Sequence, residues 1–174
     1  VLKTFVAQAF YIPSGSMEPQ LQIGDRVVVS KVAYDLHDPR RGDIVVFPSP
    51  EDHGPGDRGT LPGRLLRGLL EGIGVRQPTR TMLIKRVIGL PGETVQGHDG
   101  HVYVDGRRLV EPYLPATVVT EDFGPVTVPA GHVWVMGDNR LNSEDSTRFG
   151  PVPEGDLIGR AIAKIWPPGG AEFL

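Results

Sequence analysis

With 174 residues the chain is long enough to bury a core and fits one domain, or a domain with an appendage. Glycine and proline supply 23 and 17 of those residues, a load that disfavours a helical bundle and favours short strands joined by turns, so a mainly β fold is expected. The formal charge of -3, with acids and bases mixed along the chain, gives no basic footprint for nucleic acid, and the lack of cysteine removes disulfides and thiolate metal sites.

In chain order, the first segments all read as β. Val1 to Ile12 is apolar apart from Lys3, Thr4 and Gln8, and Phe5 to Ile12 reads as a strand or extended lead-in ended by Pro13. No run of about 18 apolar residues, the length of a membrane-crossing helix, is present. In Ile12-Pro13-Ser14-Gly15-Ser16-Met17-Glu18-Pro19, a glycine between two serines lets the backbone approach a reacting group, and prolines stiffen both flanks. This stretch suits the presentation of a nucleophile and equally suits an ordinary tight loop. Ile23-Gly24-Asp25 turns into the β-branched strand Arg26 to Val32, and Asp38 to Asp43 is a turn cluster before the short buried strand Ile44 to Phe47.

From Pro48 to Arg80 the chain is rich in proline and glycine and announces a long loop. Inside it Leu65, Leu66, Leu69, Leu70 and Ile73 recur at helical spacing, giving a short helix that either caps the core or rests on a lipid surface. Strand character returns at Met82 to Gly89. After the turn Leu90 to Glu93 it resumes at Thr94-Val95 and His101 to Val104, where Asp105-Gly106 is a strong hairpin turn. Two more strands are expected within Val118 to Val128, about Phe123-Gly124-Pro125. Val133 to Met136, a polar loop from Gly137 to Gly150 and a closing strand Ile158 to Ile165 complete the chain.

A serine hydroxyl becomes a useful nucleophile only with a base within hydrogen-bond reach. His37, His53, His98, His101 and His132 all stand in turn-like contexts, and no pair has the spacing of a helical metal site, so neither metal nor other cofactor is expected. Lys85 differs. Alternation along Leu83 to Ile88 places either Lys85 or Arg86 on a face shared with apolar neighbours. A buried lysine loses part of its preference for charge and can serve as a base, whereas a lysine at a sheet edge merely snorkels. The loop Gly137 to Gly150 supplies context, because ten of its fourteen side chains are polar or charged directly after an apolar strand. It has the character of a network that positions something.

Together these segments resemble the bacterial type I signal peptidases, membrane-bound serine endopeptidases that remove signal peptides. Pro13 to Pro19 matches the family's nucleophile box, Arg41 to Phe47 a structural strand box, Lys85 to Glu93 the general-base box, and Gly137-Asp138-Asn139-Arg140 with Asn142-Ser143 and Asp145-Ser146 the final box. The resemblance implies antiparallel sheets around an apolar substrate groove, with Ser16 as nucleophile and Lys85 as base. It also implies an oxyanion hole from the Ser16 backbone N–H and the Ser14 hydroxyl, a hydrogen bond from Ser143 that orients Lys85, support from Asp145, and an Arg86–Asp138 structural ion pair. Substrate would lie extended between Phe10-Tyr11-Ile12 and Met82-Leu83-Ile84, beside Pro13, with pocket walls from Ile12, Met17, Ile84 and Val28 selecting small side chains of the Ala-x-Ala type.

On this resemblance the catalytic β core covers 1–50 and 81–168, interrupted by a 51–80 flap, and Val1 to Phe5 is the stub of a removed transmembrane anchor. The expected partners are signal-peptide-bearing preproteins and the lipid surface at the outer face of the cytoplasmic membrane. Many relatives continue the last box as Asp-Ser-Arg, whereas Asp145-Ser146 is followed here by Thr147, which leaves Arg140 as the expected partner of Asp145. Leu141 stands where a polar residue is usual, and Pro48 to Thr81 is longer than in most relatives. A self-cleaving repressor-type Ser/Lys protease is the alternative enzyme, but neither a DNA-binding helical region nor an internal scissile bond is evident. A noncatalytic peptide- or membrane-surface-binding module is the alternative from another class.

Overall fold

The computed structural model describes residues 7–50 and 81–174. The expected stub Val1 to Phe5, His53 and the expected helix over Leu65 to Ile73 lie outside the described residues. The rest is mainly antiparallel β, in two sheets.

The larger sheet is built from β1 (Ala7–Tyr11), β2 (Arg26–Ser30), β3 (Ile44–Pro48), β4 (Met82–Gly89), β9 (His132–Met136), β10 (Val152–Pro153), β11 (Gly159–Trp166) and β12 (Glu172–Phe173). Its order is β1-β2-β11-β3-β4-β9-β10, with β12 added against β11. The smaller sheet is β7-β6-β5-β8, from β5 (Thr94–His98), β6 (His101–Val104), β7 (Arg107–Arg108) and β8 (Phe123–Thr127).

Burial follows from these neighbours. Strand β3 lies between β11 and β4 and is buried along its whole length, so its run of Ile44, Val45, Val46 and Phe47 needs no polar alternation. Strand β2 has a partner on each side but only one face in the core: Val27 and Val29 are buried while Val28 is half-buried on the opposite face. One apolar cluster gathers Ile12, Met17, Leu21, Val27, Val29, Ile44, Val46 and Ile84, and a second gathers Val45, Phe47, Val87, Val133, Val135 and Val152. A third joins the two sheets through Ile88, Val95, Val102, Val128, Trp134 and Met136, with Phe123 stacked on Trp134 at 5.4 Å between ring centroids.

Several local expectations change. Thr94-Val95 extends to His98, and Asp99-Gly100 makes a hairpin turn with φ of 49° and 79°, as Asp105-Gly106 does with 50° and 73°. Both carry the paired positive φ of tight two-residue hairpins. Within Val118 to Val128 there is one strand, β8, rather than two, and the stretch before it is irregular, with Val119 half exposed. Short helices at Ala33–Leu36 and Ser146–Phe149 had no periodic signal, since each is a single turn.

Candidate active site

In the larger sheet β1 and β4 are separated by β2, β11 and β3, yet the segment that follows β1 meets β4, so the sheet curls upon itself. The joining segment is the loop between β1 and β2. Ile12 and the backbone around Asp25 close it through Ile12 N–H to Asp25 O and Gly24 N–H to Ile12 O, both 2.9 Å. Leu21 N–H donates to Met17 O at 2.9 Å, and Ile12, Met17 and Leu21 are buried beneath the turn. Anchored by these apolar side chains, the loop leaves Ser16 only 8% exposed, while Pro13 and Ser14 stay exposed.

Lys85 lies in the middle of β4 and is 2% exposed. Its Nζ is 2.6 Å from Ser16 Oγ and 3.1 Å from Ile84 O. Burial lowers its pKa from 10.5 to about 8, and the negative charges of Asp145, Glu144 and Asp138 only partly oppose the shift. The neutral amine is therefore reached near neutral to mildly alkaline pH, beside a hydroxyl whose proton it can accept.

The loop after β9 closes the site from behind. A Cβ on Gly137 would sit 2.2 Å from Ser143 Oγ and 2.5 Å from Ser16 O, so glycine is required by close packing. Asn139 N–H donates to Ser16 O at 3.1 Å, and its side-chain amide to Gly15 O at 3.0 Å. Asp138, fully buried, takes two hydrogen bonds from Arg86, at 2.8 and 2.7 Å. Asp145 accepts Gly137 N–H at 2.9 Å through one oxygen, and Thr147 N–H at 3.1 Å and Thr147 O–H at 2.8 Å through the other. It thereby caps the helix Ser146–Phe149 and holds the loop closed.

The expected site residues fall into place unevenly. Ser16 and Lys85 meet, Arg86 pairs with Asp138, and Ile12, Met17 and Ile84 share one apolar cluster. Phe10 packs against that cluster, Leu83 packs against the second one, and Tyr11 and Met82 are 59% and 40% exposed. Val28 does not join them, because alternation on β2 turns Val27 and Val29 to that side and leaves Val28 opposite Ala9 and Ala163. Arg140 is not the partner of Asp145: its guanidinium is bound to Glu111, and Thr147 takes the Asp145 carboxylate. The expected bond from Ser143 to Lys85 is not formed, and among the described residues Ser143 Oγ is buried without a partner beside Gly137. The sequence assigns no role to Asn139, Thr147, Glu111 or Tyr113. For Thr147 the signal lay in the acidic residue two positions before it, an N-cap pattern.

A buried amine on a central strand, hydrogen-bonded to a loop serine in a mainly antiparallel fold, defines a candidate centre of the Ser/Lys hydrolase class. The family described as signal peptidase, peptidase S26, matches residues 1–166. The chain belongs to that family. It is 45% identical over 166 residues to a probable signal peptidase I-2 of a Synechocystis strain, covering 95% of this chain and 66% of that protein. It is 42% identical over 167 residues to signal peptidase I of Leptolyngbya laminosa, covering 95% and 72%. It is 40% identical over 199 residues to signal peptidase I of Mycobacterium tuberculosis, covering 97% and 68%. The chain thus spans about two thirds of the length of these curated relatives. A crystal structure of a signal peptidase I from Enterococcus faecalis covers 71% of this chain and 97% of that one, at 30% identity and a TM-score of 0.49.

Proposed function

We propose that this chain is the catalytic part of a signal peptidase that cuts Ala-x-Ala type signal peptides from preproteins, at the outer face of the cytoplasmic membrane. The observation that carries this reading is the 2.6 Å contact between Ser16 Oγ and the amine of Lys85, itself 2% exposed. Neutral Lys85 takes the hydroxyl proton as Ser16 Oγ bonds to the scissile carbonyl carbon. The resulting ammonium then gives that proton to the leaving amine as the peptide bond breaks. Water attacks the Ser16 ester in the second half-reaction, with Lys85 again accepting and returning a proton.

The Ser16 backbone N–H and the Ser14 hydroxyl are assigned to the developing oxyanion. Asp145 keeps the loop behind Lys85 in place. Substrate pairs by main-chain hydrogen bonds with Phe10 to Ile12 and with Met82 to Ile84. Strand β1 is the first of its sheet, and the first half of β4 pairs only with β3 among the described residues, so both edges are available. Small substrate side chains then face the cluster of Ile12, Met17 and Ile84.

The purified chain in detergent should cut a synthetic signal sequence ending in Ala-x-Ala. Ser16→Ala and Lys85→Ala should each abolish cutting, and Ser14→Ala should slow it by roughly 10² to 10³, as for loss of one oxyanion donor. The rate should rise with pH through about 8 as Lys85 loses its proton. A rate governed by a group titrating at about 6.5 and removed by histidine modification, or a Ser16→Ala variant that still cuts, would overturn the reading.

A further inference from the structure

Ser16 and Lys85 both belong to the larger sheet and its loops, but the turn that holds them from behind is tied to a segment leaving the smaller one. Arg140 is the first tie. Its side chain is 1% exposed, and its Nε donates to Gly137 O at 3.0 Å. Its Nη1 donates to Glu111 Oε2 at 2.9 Å and to Thr120 Oγ1 at 3.0 Å, and its Nη2 binds Glu111 Oε1.

Tyr113 is the second tie. Its hydroxyl donates to Glu111 Oε1 at 2.7 Å, and its ring lies 3.9 Å from the guanidinium carbon of Arg86. Arg86 directly follows Lys85 on β4, and its partner Asp138 directly follows Gly137. One segment after β7 therefore holds the guanidinium next to the lysine and the guanidinium that grips the turn behind the serine.

We infer that Glu111 and Tyr113 are positioning residues for the Ser16–Lys85 pair, acting through Arg140 and Arg86 on the turn Gly137 to Asn139; this rests on the Ser/Lys reading above. The turn transmits position because it has no slack. Gly137 has no room for a methyl group, and Asn139 N–H is bonded to Ser16 O. The tie also has an electrostatic side. Burial works most strongly against the Arg140 charge, and the hydrogen bonds and charge of Glu111, together with the charges of Tyr113 and Asp138, outweigh it, so the net shift is upward. Without Glu111 the buried guanidinium loses both carboxylate bonds and keeps Gly137 O and Thr120 Oγ1.

Loosening the turn has two separable consequences. The reacting atoms lose alignment, which reduces kcat while leaving substrate binding at the strand edges largely intact. Water also reaches Lys85, and since burial is the largest cause of its lowered pKa, the rising limb of the pH–rate profile moves to higher pH.

The test compares wild type, Glu111→Ala, Tyr113→Leu and Tyr113→Phe on the same synthetic signal sequence, over a pH series and well below each thermal midpoint. Glu111→Ala and Tyr113→Leu should lower kcat by about tenfold or more, with KM within about twofold and the rising limb above that of wild type. Tyr113→Phe keeps the ring beneath Arg86 and removes only the O–H bond to Glu111, so it should shift both readouts the same way by less. If Glu111→Ala does not fold, Glu111→Gln and Tyr113→Phe decide the matter. Variants with a lowered thermal midpoint but wild-type kcat and pH limb would overturn this inference alone. A wild type that fails to cut, or activity that survives Ser16→Ala, would strike the Ser/Lys reading instead.

Discussion

Two adjacent cations on one strand, Lys85 and Arg86, are both buried, at 2% and 7% exposure, and they meet opposite fates. Arg86 has a carboxylate within bonding distance, takes both oxygens of Asp138 and packs against the Tyr113 ring. Among the described residues Lys85 has only a hydroxyl and a carbonyl as bonding partners, and burial lowers its pKa to about 8. Burial alone does not distinguish a structural ion from a general base. The distinction lies in the side chain and its partner: a guanidinium does not deprotonate in proteins and calls for a carboxylate to offset its burial, whereas a buried amine with no carboxylate in contact can give up its proton.

The largest effect should come from making Lys85 resemble its neighbour. Lys85→Arg keeps a cation and hydrogen-bond donors near Ser16 but installs a group that does not deprotonate in proteins. Cleavage should fall by roughly 10⁴ or more, and raising the pH should not restore it. Recovery of activity at alkaline pH in Lys85→Arg would show that the neutral amine is not the base.

The converse change strips Arg86 of its role. Arg86→Met leaves the fully buried Asp138 carboxylate without its guanidinium, and loss of one partner of a buried pair costs about 3–5 kcal/mol. Denaturant unfolding should show that loss. Removing the other charge as well, in Arg86→Met with Asp138→Leu, should recover most of the stability, because two apolar side chains carry no unpaired charge. A double variant no more stable than Arg86→Met would mean that packing, including the Tyr113 stack, outweighs the ion pair.

The strand carrying both cations was legible because Ile84, Val87 and Ile88 bracket them with apolar, mostly β-branched residues, and the buried run at Ile44 to Phe47 was legible for the same reason. Asp105-Gly106 announced its turn, while the equally good Asp99-Gly100 went unread because β5 continues past Val95 through Gln96 and Gly97, residues of low strand preference. The meeting of Ser16 and Lys85 came from the motif order, since no local rule brings residues 69 apart in sequence together. The partner of Arg140 could not be read that way. Glu111 sits in an irregular stretch with no period, so neither alternation nor spacing points to where its carboxylate lands. The nearer acid, Asp145, was the natural choice, but its oxygens are taken by Gly137 and Thr147 within its own turn.

The smallest of these effects is on stability as a function of pH, and it separates the two cations without an activity assay. The Lys85 pKa is lowered from 10.5 to about 8 in the folded protein, chiefly by burial. Below pH 8 the amine is charged in both folded and unfolded chains, and the folded state bears the full cost of enclosing it. Between about 8 and 10.5 the folded state has released the proton that the unfolded chain still holds, so stability rises with pH across that window. Lys85→Met removes the cost, and should be more stable than wild type by up to about 3 kcal/mol at neutral pH, less whatever the lost bond to Ser16 contributes. The two unfolding curves should draw together as the pH approaches 10.5. A stability difference that stays constant from pH 7 to 10.5 would mean that Lys85 keeps an ordinary pKa despite its burial, and that the contrast with Arg86 is one of geometry alone.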